Sequence, residues 1–362
     1  MPDAAGTPTP AGREVRGTSG LVELEEIRRA AERIRPAARR TPLLAAAPGT
    51  DAPPPRPGVP GSAGPGRIWL KCESLQHAGA FKLRGAWNFI ISLPEAERAA
   101  GVVTYSSGNH GQAVAWCARE LGIPATIVMP VDAPRVKRDG ALALGARVEQ
   151  EGRTTLERRA RAEEILAASG GVMVPPFDDA RIIAGQGTAG LELHEQLAGE
   201  RQRAAGPPVG RLARVLVPIG GGGLISGVAA AVRALEPGAE VFGVEPEGAA
   251  KMRRSLDAGR PVTLARTETV ADGLRPVRPG DLTFAHVAAL VRDVVLVSDD
   301  EIRAAVAWCF ARGLVVEPSG AAALAALLVG RVPPAADGET GVLLSGGNLD
   351  PRVLATCLEM GA

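Results

Sequence analysis

Cysteine is scarce. Only Cys72, Cys117, Cys309 and Cys357 occur in 362 residues, widely spaced and with no CxxC pair. That pattern excludes a disulfide scaffold and a thiolate metal site, and it reads as small buried hydrophobes in a reducing compartment. An excess of one charge is also lacking: 41 basic against 40 acidic residues leave a formal +1. Nothing in that balance asks for nucleic acid or an acidic membrane as a partner. No apolar run reaches the roughly 18 residues that a membrane span requires. The opening MPDAAGTPTPAG lacks the basic start and apolar stretch of a secretory signal, so the cytoplasm is the expected location. Lysine is the most telling shortage, because arginine is abundant while lysine occurs only at Lys71, Lys82, Lys137 and Lys251. Arginine cannot form an imine with an aldehyde, since its guanidinium stays protonated and delocalised. Some of the surviving lysines are therefore candidates for chemistry; at least two are expected as surface residues or helix caps.

What is present is ordinary for a globular protein, with 46% hydrophobic and 22% charged residues and enough length for two lobes around a cleft. Residues 1–19, rich in Pro, Ala and Gly, read as a disordered arm, and Pro48 to Arg67 as a long surface loop. A charged helical pattern, LVELEEIRRAAERIR, lies between them. Beyond the loop, short apolar runs alternate with helical patterns. GVVTYSS precedes HGQAVAWCARELG, ATIVMP precedes PRVKRDGALALGA, and RVEQEG precedes TTLERRARAEEILAAS. The alternation continues through ARVLVPIGG, AEVFGVEPEG and DVVLVSDDE, and it closes with helical EPSGAAALAALLVG and strand-like GVLLSGGN. Ser298 and Glu301 form an S-x-x-E capping box. Such alternation predicts an α/β architecture, mostly parallel sheets flanked by helices. Ligands of these sheets bind where strands run out into helices, which singles out residues 106–111, 219–223, 245–248 and 345–348.

Gly220, Gly221, Gly222 and Gly223 separate the strand VLVPI from the helix LISGVAAAV. Without Cβ atoms, backbone N–H groups there can close on an anion at a helix N-terminus, a ready phosphate cradle. A dinucleotide site is the rival, with Glu245 about 20 residues on as the ribose-binding acid. No register reads G-x-G-x-x-G, however: the sixth position is Ile225 from Gly220 and Ser226 from Gly221. The P-loop signature is absent as well. A plain tight turn is the third possibility.

Lys82 stands between Phe81 and Leu83 in KCESLQHAGAFKLRGA. An apolar setting lowers a lysine pKa, as a Schiff-base nucleophile needs. A lysine between apolar neighbours can equally be an amphipathic helix residue with its head in water. The segment GAFKLRGA closely resembles the lysine segment of fold-type II pyridoxal 5'-phosphate (PLP) enzymes, in the threonine/serine dehydratase and serine racemase family. The likeness extends in order through SSGNHGQA, IAGQGT, PIGGGGLISG, GVEPEG, VADGLR, VEPSGA and LSGGN, roughly residues 20 to 350.

The resemblance implies a two-domain, tryptophan synthase β-like fold. The large PLP-binding domain would span 20–94 and 179–362, the small domain 95–178. It implies that Lys82 carries the cofactor and shuttles the Cα proton, that Gly220 to Gly223 hold the phosphate, and that Phe81 packs against the ring. Asn109 would bond the 3′-oxygen, and Ser345 would face the ring nitrogen. Ser106, Ser107, Gly108, Asn109 and His110 would grip the substrate carboxylate. A neutral serine at the ring nitrogen makes a weaker electron sink than an aspartate partner, which suits prompt loss of a β-hydroxyl. The cofactor phosphate is the expected proton donor to that hydroxyl, because no obvious acidic side chain stands in these motifs.

Departures from the family pattern matter too. Ala80 replaces the usual serine before Phe-Lys, with a modest expected effect. Ser107 stands where serine racemases keep a second base and many dehydratases have alanine, so racemisation stays open. In racemase-like members a divalent ion is held by the glutamate ending the GVEP strand and an acidic residue six positions on. Glu245 fits, but Lys251 takes the second place, so we expect no tight metal and a salt bridge instead. His110, His194 and His286 form no ligand set. His110 is expected in a structural role and the others as helix or surface residues, while Lys71 and Arg84 support the lysine loop through ion pairs. Because the sequence runs only shortly past SGGN, no feedback control through a C-terminal regulatory domain is expected. Relatives imply a homodimer or homotetramer acting on a small amino acid. Three functions are weighed: a dehydratase of L-threonine, L-serine or a related β-hydroxy amino acid; a racemase with side elimination; and a nicotinamide-dependent oxidoreductase.

Overall fold

The computed structural model describes residues 20–46, 67–106, 108–133, 135–152, 155–203 and 209–359. The arm expected over residues 1–19, most of the loop expected up to Arg67, and Ser107 lie outside the described residues.

Two sheets organise the described residues. The first has six strands: β1 (Leu43–Ala46), β2 (Ile68–Lys71), β7 (Leu212–Pro218), β8 (Glu240–Pro246), β9 (Asp293–Val297) and β10 (Glu339–Leu343). Their spatial order is β1-β2-β10-β7-β8-β9, and every pair is parallel except β1 with β2. The second sheet is all parallel. It orders β5 (Arg147–Gln150), β4 (Ala125–Met129), β3 (Val102–Thr104) and β6 (Val172–Met173). Strands β2 and β10 are buried at every residue, as parallel strands covered on both faces should be. The α/β expectation therefore holds.

The helices follow from the same patterns. Helix α8 (Gly223–Leu235) and helix α12 (Pro318–Leu328) are apolar almost all round and lie against the large sheet, with buried interiors. Helix α11 (Asp299–Phe310) starts on the expected box: Ser298 Oγ accepts from the Glu301 N–H, and Glu301 Oε2 from the Ser298 N–H. Helix α7 (Ala180–Arg203), 24 residues long, was not visible as a helix, because IAGQGTAG is glycine-rich. Those glycines serve close packing. A Cβ on Gly185 would come within 2.6 Å of Gly85 Cα, and one on Gly227 within 2.2 Å of the Ile183 carbonyl. Helix α7 thus touches helix α2 (Lys82–Ile91) and α8 almost backbone to backbone.

Helix α2 joins the core of the second sheet. Leu83, Phe89 and Ile90 pack there with Val102, Val114 and Ile127, each side chain contributing about 2 kcal/mol by burial. Its first residue, Lys82, lines a cleft of about 1150 Å³. Helix α4 (Asn109–Leu121) points its N-terminus into the same cleft from the end of β3. Among the described residues, no helix is long and apolar enough to cross a membrane.

Candidate active site

Lys82 is half-buried, and its Nζ donates a 2.7 Å hydrogen bond to the Pro176 carbonyl. The Phe81 ring centre lies 5.2 Å from that nitrogen. Burial lowers the Lys82 ammonium from 10.5 to about 8, with no carboxylate pulling it back. The segment is tied directly to the SGGN loop: the Phe81 N–H donates to the Ser345 carbonyl at 3.1 Å, and Ala80 bridges Gly346. Ser345 is buried and lines the cleft, with its hydroxyl 3.5 Å from the Ser319 carbonyl.

The four glycines form a loop turned inside out. The Gly221 carbonyl faces away from the cleft and accepts from Thr283 Oγ1 at 2.7 Å. Gly222 adopts φ +101°, which disfavours any side chain, and α8 begins at the next residue. First-turn N–H groups have no intrahelical acceptor, so this end of α8 is a donor set. A Cβ on Gly221 would strike the Phe177 ring at 2.1 Å, so the loop must stay bare backbone. Bare donors beside a lysine of lowered pKa fit the phosphate and aldehyde of pyridoxal phosphate.

Asn109 is clamped at both ends of its amide. Its Nδ2 donates to Glu317 Oε1 at 2.5 Å, and its Oδ1 accepts from Asn348 Nδ2 at 2.9 Å. Asn348 is itself held by the Ala78 carbonyl at 2.9 Å. One Asn109 N–H therefore remains to meet an oxygen acceptor in the cleft. Glu317 is buried. Loss of water, with the nearby Asp272 carboxylate adding to it, pushes its carboxyl up from 4.5 to about 8. The expectation that these motifs hold no acidic side chain is thus corrected: Glu317, within VEPSGA, lines the cleft as a protonated acid at neutral pH.

Ser106, Gly108, Asn109 and His110 line the cleft around the N-terminus of α4. The Gly108 N–H donates to Ser106 Oγ at 3.3 Å. His110 is buried, and its Nε2 lies 3.1 Å from the Val174 carbonyl, leaving Nδ1 without a partner. Burial, reinforced by the Lys82 charge, drives His110 down to about 3, so it is neutral.

Several sequence expectations change. None of the four lysines is a solvated surface residue. Lys71 and Lys251 are fully buried, Lys82 lies in the cleft, and Lys137 pairs with Asp272 at the cleft rim. Lysine burial here is set by acceptors from distant segments, which local sequence does not display. Lys71 and Arg84 do form ion pairs behind α2, with Glu192 and with Glu73 and Glu192. The loop 245–248 is absent from the cleft lining. Glu245 is fully buried and its oxygens accept from the Met252 and Arg253 N–H groups and from Lys251, so it cannot reach a ribose. His286 is buried in a helix, with Nε2 accepting from the Val22 N–H at 2.8 Å. All four cysteines are buried and free. Pro176 and Phe177 carry no mark in the sequence, and Asn348 falls within the loop 345–348 without a role of its own being readable there.

Known proteins resemble this chain along most of its length. The family model described as pyridoxal-phosphate dependent enzyme matches residues 34–346. An L-threonine ammonia-lyase of Geobacter sulfurreducens is 41% identical over 336 residues, 92% of this chain and 78% of that protein. A serine racemase of Arabidopsis thaliana is 40% identical over 333 residues, 91% of this chain and 93% of that protein. The solved structure of maize serine racemase matches with a TM-score of 0.82 at 36% identity, covering 94% of this chain and 97% of that one. The cofactor is pyridoxal 5'-phosphate, and the oxidoreductase alternative falls away. Likeness of this extent, over a cleft whose donors suit that cofactor, leads to one assignment: the chain belongs to the pyridoxal-phosphate-dependent enzymes, in the branch that holds ammonia-lyases and serine racemases.

Proposed function

We propose that this enzyme removes water and then ammonia from L-threonine, L-serine or a related β-hydroxy amino acid, releasing the 2-oxo acid. The observation that carries the proposal is Lys82: an amine with a pKa of about 8 in a cleft that the glycine loop and the neutral side chain of Ser345 also line. Bound pyridoxal phosphate supplies an electron-accepting ring that acidifies the Cα–H of the amino acid joined to it. Lys82 Nζ is then the base that takes the Cα proton, and its depressed pKa keeps about a tenth of the free amine unprotonated at pH 7. The N-terminal turn of α4, with Ser106 and Gly108, receives the substrate carboxylate, aided by the helix dipole. His110 is neutral and spends its Nε2 on Val174, so its part is to brace that turn. Asn109 would hold the cofactor's ring oxygen with its second N–H, and Gly220 to Gly223 would hold the phosphate with theirs. Ser345 would offer the ring an uncharged hydroxyl rather than a carboxylate, a partner that suits loss of a β-hydroxyl.

Racemisation is the second reading. It is supported by Ser107 in the sequence and by the similarity to serine racemases. One assay separates the two. Purified enzyme is given L-threonine, L-serine, D-serine and 3-hydroxyaspartate, and 2-oxo acid, ammonia and the chirality of the remaining amino acid are followed. Elimination predicts equimolar 2-oxo acid and ammonia, abolished in Lys82→Ala. D-isomer accumulating faster than 2-oxo acid would replace the dehydratase by the racemase.

A further inference from the structure

Behind the glycine loop, away from the cleft, lies a fully buried ammonium. Lys251 Nζ is 2.9 Å from Glu245 Oε1, 2.9 Å from the Ile219 carbonyl, 3.1 Å from the Leu274 carbonyl and 3.2 Å from the Ala249 carbonyl. Four oxygens from three stretches of chain, 219, 245–249 and 274, thus converge on one cation. Burial lowers the pKa of Lys251 from its ordinary value, with the Glu245 carboxylate opposing it. A neutral amine would turn its lone pair on one of the four oxygens, so the caged nitrogen stays charged. The charge sits at the first residue of helix α9 (Lys251–Ala258), the end where a cation is least welcome. Glu245 makes it tolerable, accepting from the Met252 N–H at 3.0 Å and the Arg253 N–H at 2.9 Å while facing the ammonium.

The stretches tied together are those that shape the cofactor side of the cleft. Ile219 immediately precedes Gly220 of the glycine loop. Leu274 closes the single turn 272–274, whose Asp272 and Gly273 line the cleft. A Cβ on Gly220 would sit 2.9 Å from the Gly273 carbonyl, so loop and turn are already in contact. Met252, next to the lysine, packs against Gly222. We propose that the Lys251 ammonium is a built-in cation that holds the phosphate-binding loop and the 272–274 turn in register, and that these four oxygens, deprived of it, take up a free cation. Lys251 is a positioning residue, remote from the reacting atoms.

The test uses holoenzyme and reads cofactor retention on serial dialysis, the thermal midpoint, and Mn²⁺ binding by electron paramagnetic resonance. In the parent, neither EDTA nor millimolar MgCl₂ should change retention or midpoint. Lys251→Ala should bind pyridoxal phosphate about tenfold more weakly, since it leaves Glu245 without its cation. MgCl₂ or NH₄Cl should restore much of that loss beyond NaCl of equal ionic strength, and one Mn²⁺ should bind per chain. Lys251→Met fills the space without charge and should be weakened without rescue. Parent enzyme losing cofactor in EDTA, Lys251→Met retaining it like the parent, or Lys251→Ala indifferent to every cation would each overturn the proposal. Should Lys251→Ala not fold on expression, refolding with and without MgCl₂ takes its place, and equal yields count against us.

Discussion

Glu317 carries a testable link between burial and stability. Its carboxyl is 3% exposed, and burial raises it from 4.5 to about 8, the Asp272 charge adding to the shift. Below pH 4.5 the folded and unfolded chains both hold this proton, and the group is neutral in its effect. As pH rises from 4.5 towards 8, the unfolded chain releases the proton and the folded one retains it, so stability falls across that window. Integrating the difference gives a loss of about 3 kcal/mol between pH 5 and pH 8 from this residue. Glu317→Gln keeps the shape and an oxygen to accept from Asn109, and cannot ionise. Denaturant titrations of parent and variant at pH 5 and pH 8, at one fixed cofactor concentration, should give similar midpoints at the lower pH. At pH 8 the variant should be the more stable by about 3 kcal/mol. Parallel pH profiles would mean that Glu317 ionises without penalty, and the picture of a protonated acid bracing Asn109 would be wrong.

Three other perturbations follow from the geometry. Capture of pyridoxal phosphate by Lys82 needs the neutral amine, so the capture rate should climb about tenfold per pH unit below 8 and level off above it. Stopped-flow absorbance checks this, and a rate still climbing at pH 10 would refute the lowered pKa. Arg84→Met should cost about 3–5 kcal/mol by thermal or denaturant unfolding, because it strands the buried Glu73 carboxylate, bonded to it at 2.7 Å, and leaves Glu192, bonded to it at 2.8 Å, with Lys71 as its cation. A loss under about 1 kcal/mol would show that water enters and screens the cluster. Gly227→Ala should destabilise by about 1–3 kcal/mol, since its methyl would meet the Ile183 carbonyl at 2.2 Å and force α7 and α8 apart. An unchanged melting temperature would contradict that contact.

The parts of the site legible in the sequence are those whose chemistry is local. Four adjacent glycines between an apolar run and a helical pattern announce a backbone cradle, because the requirement for bare N–H groups is met by consecutive residues. The alternation of apolar and helical segments likewise made the parallel sheets readable, since each strand is buried along its own length. What escaped was built from distance. Glu317 and Asn348 hold Asn109 from 208 and 239 residues away, and neither motif carries a mark of its partner. Helix α7 escaped for a related reason. Its glycines lower helix propensity locally, while the close contact with Gly85 and Gly227 that compensates comes from other helices.

The lysines carry this argument furthest. Their scarcity points to chemistry at one position and, from the sequence, to ion pairs at Lys71 and Lys251; what the sequence does not display is how completely the chain encloses them. Lys71 donates to the Thr41 carbonyl, Glu192 and Gln196, and Lys251 is enclosed by four oxygens. An ammonium is compact and offers three donors on a flexible stem, so it can close a cage of carbonyls that a planar guanidinium would not fit. In a chain that uses arginine wherever charge alone suffices, a lysine therefore marks a place where the shape of the cation matters. At Lys82 that place is a reacting nitrogen, and at Lys71 and Lys251 it is a point where separate stretches of chain meet.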